Sequence, residues 1–289
     1  MTSAMTADLH THSAFSDGTD SADELVAAAR AAGLRTIALT DHDTAAGWDP
    51  IARAARGTGL RVIPGVEFST KHPDADGRPV SVHLLGYLFR RDDPRIVAEW
   101  DRLRHERANR GANIVARLVD GGFPITLDRV REIAGAANIG RPHIARALVE
   151  AGVVDRVGDA FDELLHDGSP YYAALRSTSL REGVEWIAAA GGVPVIAHPR
   201  ARDAAAVMTA DVIETLVPLG LRGLEVRHPD HDDAARGELG HIADALGLLQ
   251  TGSSDYHGDN KTLRIGQERT ADDVVEQIIE AGAQTPFDG

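Results

Sequence analysis

Through Arg90 the chain alternates short apolar runs with alanine-rich stretches of helical period. Ala7-Asp8-Leu9 is a first short run, leading into His10 and His12. Asp23 to Ala32 spaces its apolar residues as a helix does and meets Gly33, a common C-terminal stop. Thr36-Ile37-Ala38-Leu39-Thr40 reads as a buried strand ending at Asp41-His42-Asp43. A helix over Ile51 to Arg56 follows, then a strand over Arg61 to Val66 that ends at Glu67, then a strand over Ser81 to Leu88 that carries His83. Alternation of this kind predicts parallel βα units.

The rhythm changes after Phe89. Arg95 to Val119, Leu127 to Ala134 and Arg141 to Ala151 read as successive helices with no convincing strand between them. It returns with a helix over Arg181 to Ala190, strands over Val193 to Ala197 and Gly223 to Val226, a helix over Ala234 to Leu246 and a strand over Leu248 to Thr251. The pattern predicts an α/β barrel built from residues 7–90 and 177–289, interrupted by a helical insertion over 91–176. A chain of 289 residues accommodates one barrel of ~250 residues with such an insertion.

Composition narrows the chemistry. The chain has no cysteine, which excludes disulfides, thiolate metal sites and cysteine nucleophiles. A net charge of −14 speaks against duplex DNA or an anionic membrane as partner. Met1 to Leu9 lacks the basic and apolar regions of a secretory signal and no apolar run approaches ~20 residues, so a cytoplasmic location is expected. Aromatic residues make up only 4%, too few for a long track of stacked bases.

The thirteen histidines carry the sharper signal. His10, His12, His42, His83 and His198, with His257, fall at or beside predicted strands, as do Glu67 and Asp255, and Asp17 follows in the first loop. Each fragment alone is unremarkable: an HxH pair occurs by chance, a TDHD run can be a polar turn, and a lone strand histidine is commonly a core residue. Together, each at its own apolar run, they would converge on the face of a parallel barrel that exposes its strand C-termini. Six imidazoles and three carboxylates exceed the needs of one ion and suit two or three.

Asp8-Leu9-His10-Thr11-His12-Ser13, Ser16-Asp17-Gly18, Thr40-Asp41-His42-Asp43, Pro64-Gly65-Val66-Glu67, Ala197-His198-Pro199 and Gly252-Ser253-Ser254-Asp255-Tyr256-His257 resemble, in order, the motifs of the PHP (polymerase and histidinol phosphatase) family. Within it the chain is similar to the stand-alone phosphoesterases that act on nucleoside 5′-monophosphates, 3′,5′-bisphosphates and the 5′ ends of short RNA. Gly140-Arg141-Pro142-His143-Ile144-Ala145 resembles a segment of that branch. The resemblance implies a distorted (β/α)7 TIM-like barrel with the insertion as a lid that contributes to substrate binding. It also implies a multinuclear phosphoric ester hydrolase holding two or three divalent ions, manganese first, with zinc, iron or magnesium as alternatives. His10, His12, Glu67 and Asp255 would hold one ion; Glu67, His83 and His198 a second; Asp17, His42 and His257 a third. Asp17, His42, Glu67 and His257 would be catalytic, with a hydroxide shared between ions attacking phosphorus. Some family members carry histidine where this chain has Asp17, which makes the third set richer in oxygen.

An anionic substrate needs local positive charge. Arg141 and His143, Arg200, His228 and Lys261 are the expected substrate-binding residues. Arg102, Arg104, Arg107 and Arg110 alternate with acids and read as a solvated helix face, and Tyr171, Tyr172, Phe123 and Tyr256 are the available rings for stacking. The expected partner is a small phosphorylated molecule, a nucleotide or a short RNA end. Histidinol phosphate, a cyclic phosphate diester, or an inactive metal-holding module serving another protein are the competing readings.

Overall fold

The computed structural model describes residues 4–134, 139–166, 168–172, 178–201 and 203–289, without the side chains of Arg104, Arg107 and Ala108. The expected re-entry into the barrel at Ser177 and the roles given to Arg104 and Arg107 therefore lie outside the described residues.

The barrel opens with β1 (Ala7–Thr11), α1 (Ala22–Ala31), β2 (Thr36–Leu39), α2 (Trp48–Ala55), β3 (Arg61–Pro73) and β4 (Pro79–Tyr87). Ser21 starts α1 with a reciprocal capping box to Glu24, and Gly33 leaves it at a φ of 71°. After the helices α3 (Pro94–Asp120), α4 (Leu127–Ala134), α5 (Arg141–Glu150) and α6 (Val157–Glu163) come β5 (Thr178–Ser179), α7 (Leu180–Ala189), β6 (Val193–Ile196), α8 (Ala204–Val207) and α9 (Ala210–Leu216). The chain finishes with β7 (Gly223–Arg227), α10 (Asp233–Leu246), β8 (Leu249–Gly252) and α11 (Asp272–Ala281).

The sheet runs β1-β2-β3-β4-β6-β7-β8, with β5 paired to β3. It nearly closes: the His12 amide donates to the Tyr256 carbonyl at 2.8 Å and the Tyr256 amide to His10 at 3.3 Å, joining the end of β8 to β1. Ala7, Leu9, Ala38, Ile63, Tyr87, Val193 and Val195 fill the interior, and Val275 and Ile278 of α11 pack against them. Tyr87 crosses that interior to donate to the Leu9 carbonyl at 2.8 Å, beside the register shift where β1 leaves its ladder with β2. The architecture is the α/β barrel that the alternation predicts.

One expectation is corrected. β3 and β4 form an antiparallel hairpin, and β4 is antiparallel to β6 as well, so the parallel βα rule fails at the third and fourth strands. The physical reason is the connection: Asp74 accepts from the amides of Asp76 and Arg78, closing a tight turn where a parallel pair would need a helix-length crossover.

Contacts divide the chain into Met1–Val97 with Ser177–Gly289, and Ala98–Arg176. The second unit has its own core, built on Ile114, Leu118, Val130, Ile144, Leu148 and Leu165. Phe123 and Tyr171 stack edge to face within it at 5.3 Å, so these two rings serve packing. Arg102 does lie on a salt-bridged helix face, bound to Glu99 and Glu106, whereas Arg110 departs from it. Its guanidinium stands 4.8 Å over the Tyr172 ring with Nε and Nη2 buried. No helix among the described residues is long and apolar enough to cross a membrane.

Candidate metal centre

The site is assembled around one buried carboxylate, Glu67. Period-two alternation at the end of β1 sends His10 and, one residue past the strand, His12 to the same side, and both are fully buried. His42 follows β2 and bridges Glu67 through the backbone. His83 sits opposite Ser69 in the antiparallel register, diagonal to Glu67, so the hairpin delivers from mid-strand what the parallel strands deliver from their ends. His198 follows β6, and Asp255 and His257 follow β8.

The two oxygens of Glu67 face different rings. Oε2 lies 3.0 Å from His10 Nε2, 3.0 Å from His12 Nε2 and 3.3 Å from His42 Nε2. Oε1 lies 2.7 Å from His83 Nδ1 and 3.1 Å from His198 Nε2. Asp255 Oδ1 stands 3.4 Å from both His10 and His12, and Asp17 Oδ1 stands 3.3 Å from His257 Nε2. Ligand atoms gather within 4.8 Å of one another in three sets: His10, His12, Glu67 and Asp255; His42, Glu67 and His83; and His12, Asp17, His42 and His257. The first coincides with the set implied by resemblance. In the second His42 takes the place given to His198, and the third gains His12.

Divalent ions fit these residues. His10 Nε2 and His12 Nε2 are buried without a hydrogen-bond partner although both aim at Glu67. Ring nitrogens and carboxylate oxygens that converge with no donor between them are satisfied by a cation.

The electrostatics are those of a site that exchanges protons for metal. Burial by itself would raise Glu67, but the imidazoles of His42, His10 and His83 hold it well below the usual carboxylate range. Burial opposes a charged His12, yet the carboxylates of Asp255 and Glu67 beside its ring push it up to about 9. His42 goes the other way, to about 4, because burial and the neighbouring His12 and His83 outweigh Glu67 and Asp17.

The backbone is strained where it carries the site. Asp43, His198 and Asp255 have φ of 52°, 30° and 53°, a region L-residues seldom occupy. Buried acids brace these segments. Asp41 accepts from the Ser13 amide, Ser13 Oγ and Ser16 Oγ at 2.8, 2.8 and 2.7 Å, fixing the loop that presents Asp17. Asp8 accepts from the Ser254 amide at 3.0 Å and from Ser254 Oγ at 2.5 Å, next to Asp255. Glu225 contacts His10, His198 and Ser253. Sequence reasoning missed these three acids as site residues. The available signal was an acid inside an apolar run, Ala7-Asp8-Leu9 or Leu224-Glu225-Val226, where a buried charge requires partners.

A cavity of about 200 Å³ opens over the cluster, with His228 and Lys261 on its wall. Lys261 Nζ lies 2.5 Å from Asp255 Oδ2 and His228 Nε2 lies 3.7 Å from the same oxygen. Arg200 does not join them. Its guanidinium is bound to Glu238 at 2.9 and 3.0 Å and to the Met208 carbonyl at 2.5 Å, and its amide to His231, so its charge is already neutralised elsewhere. Arg141 and His143 belong to the insertion unit, where Arg141 donates to the Leu165 carbonyl and His143 Nδ1 accepts from the Gly140 amide. Tyr256 donates to Asp20 at 3.0 Å.

Comparison with known proteins bears on the chemistry. A model of the PHP domain matches residues 8–167. The chain is 34% identical over 253 residues to a 3′,5′-nucleoside bisphosphate phosphatase of Chromobacterium violaceum, covering 86% of each protein. It is 32% identical over 272 residues to a 5′-3′ exoribonuclease of Haemophilus influenzae, covering 94% of this chain and 96% of the relative. Among solved structures, a candidate metal-dependent phosphoesterase of Bifidobacterium adolescentis superposes with a TM-score of 0.75 at 37% identity, over 98% of this chain and 99% of that one.

Proposed function

This chain belongs to the PHP domain family of metal-dependent phosphoesterases, and from that premise we propose that it hydrolyses phosphate monoesters of nucleotides: 5′-monophosphates, 3′,5′-bisphosphates and the 5′ ends of short RNA. The observation that carries the reading is Glu67, one carboxylate faced by five imidazoles on its two oxygens. His10, His12, Glu67 and Asp255 would hold one divalent ion, Glu67, His83 and His198 with His42 a second, and Asp17, His42, His257 and His12 a third. Such ions neutralise phosphoryl charge and make water acidic enough to act as the nucleophile near neutral pH.

The chain's own residues bind and orient. Glu67 keeps two sets of rings turned toward its two oxygens, which spaces whatever they hold. His228 Nδ1 accepts from the Asp230 amide at 3.1 Å, so the neutral ring carries its proton on Nε2, a hydrogen-bond donor facing the cavity. Lys261 places a second donor and a positive charge beside Asp255. A cavity of about 200 Å³ matches a phosphoryl group rather than a whole nucleotide. Arg141 and His143 belong to the same proposal as substrate-binding residues: their replacement by alanine raises KM while kcat stays within a few-fold.

The test is phosphate release by the full chain, stripped of metal and reloaded separately with manganese, zinc, iron or magnesium. Substrates are nucleoside 5′-monophosphates, 3′,5′-bisphosphates, 5′-phosphorylated short RNA, histidinol phosphate and a cyclic phosphate diester. The highest kcat/KM is expected on a nucleotide monoester. A preference for histidinol phosphate or the cyclic diester overturns the nucleotide assignment, and silence on every substrate with metal bound favours an inactive metal-holding module.

A further inference from the structure

Strand β7 places one acid, Glu225, fully buried in the barrel, with no lysine or arginine paired to it among the described residues. A buried carboxylate persists where donors surround it. Its Oε2 accepts from the His198 amide at 2.7 Å. Its Oε1 accepts from Ser253 Oγ at 2.5 Å and lies 3.1 Å from His10 Nδ1. The three neighbours come from β1, the exit of β6 and the exit of β8, so one side chain ties together three elements that carry ligands.

We propose that Glu225 is a positioning residue for the metal centre: it selects the His10 tautomer that leaves Nε2 free to coordinate, and it clamps the backbones that present His198 and Asp255. The inference rests on reading His10, His198 and Asp255 as metal ligands. An imidazole that donates from Nδ1 keeps its lone pair on Nε2, and His10 Nε2 stands 3.0 Å from Glu67 and 3.4 Å from Asp255. His198 holds a φ of 30°, which a residue with a side chain keeps only if its surroundings impose it, and its amide is the group Glu225 grips. Ser253 stands two residues before Asp255, whose φ is 53°. Glu225 holds Ser253 while Asp8 holds Ser254 from the other side, which leaves the turn into Asp255 little freedom.

Cobalt(II) titration into the metal-stripped full chain tests this, using the wild type, Glu225→Gln, Glu225→Asp and His10→Ala. Glu225→Gln keeps volume and loses the charge; its cobalt affinity is expected to fall 10- to 100-fold, with the cobalt absorption bands altered and circular dichroism unchanged. Glu225→Asp recovers part of the affinity. Equal affinity and equal spectra for wild type and Glu225→Gln overturn the proposal. Should the wild type take up no cobalt, or His10→Ala bind as the wild type does, the ligand reading fails instead. A measurement that needs no variant closes the case where Glu225→Gln does not fold: long-range ¹H–¹⁵N correlation on the zinc-loaded wild type. His10 must show a protonated Nδ1 and a coordinated Nε2; a protonated Nε2 overturns the proposal.

Discussion

Replacing Glu67 by glutamine removes the charge on which the centre is organised and leaves its shape nearly intact. In the metal-free protein the consequence follows from the displaced titrations. Glu67 lies well below its ordinary 4.5 once its neighbours outweigh burial, so the stability it contributes is present above that value and lost as pH falls beneath it. His12 rises from 6.5 to about 9, so its contribution is complete below 6.5 and lost as pH climbs toward 9. Both describe charges attracting across about 3 Å, and the difference between wild type and Glu67→Gln is therefore largest between pH 4.5 and 6.5. The rise of His12 corresponds to roughly 3–4 kcal/mol at about 1.4 kcal/mol per pH unit, shared between Asp255 and Glu67, with further attraction from His10 and His83. Removing one partner of a buried pair costs ~3–5 kcal/mol, which agrees. Thermal melts of the metal-free protein from pH 4.5 to 9 should show the variant lower by roughly 5–10 °C near pH 6, with the gap held down to pH 4.5 and narrowing as pH climbs toward 9. Manganese affinity should drop by about 100-fold. Coincident melting curves near pH 6, or undiminished manganese uptake, would refute the account of Glu67 as the central carboxylate.

Three further outcomes follow from particular placements. Asp17 is 54% exposed on its side chain, so Asp17→Asn should leave the melting temperature unchanged while lowering the bound-metal count and turnover; full activity with full metal content removes it from the site. Arg200→Ala should change KM less than about twofold and lose only ~0.5–1 kcal/mol of stability, since its guanidinium is committed to Glu238; a KM rise beyond fivefold would place it back among the substrate contacts. Tyr87→Phe strips the Leu9 carbonyl of its donor in the barrel interior and should cost ~1–3 kcal/mol in denaturant unfolding, an unchanged midpoint showing that the carbonyl finds another partner.

Local chemistry determined much of this protein at the level of sequence. Runs such as Thr36 to Leu39 and Val193 to Ile196 are apolar because strands inside a barrel are covered on both faces, and each prints the position of the polar residue that follows it. That is why His42, Glu67, His198 and Asp255 could be gathered from the sequence, and why His10 and His12, two apart where the first run ends, could be assigned one face. The tertiary structure decided what depends on pairing between distant segments. Only the β3–β4 register sets His83 diagonal to Glu67, and only its distances show which ring meets which oxygen. Arg200 next to the His198-Pro199 motif reads as a substrate contact until α10 brings Glu238 to it. Asp8 and Asp41 stand inside motifs without a role assigned to them there, and Glu225 lies outside every motif. Their meaning lies in the amides, hydroxyls and imidazole that folding places around them, and a buried carboxylate acquires its role from those donors rather than from its neighbours in the chain.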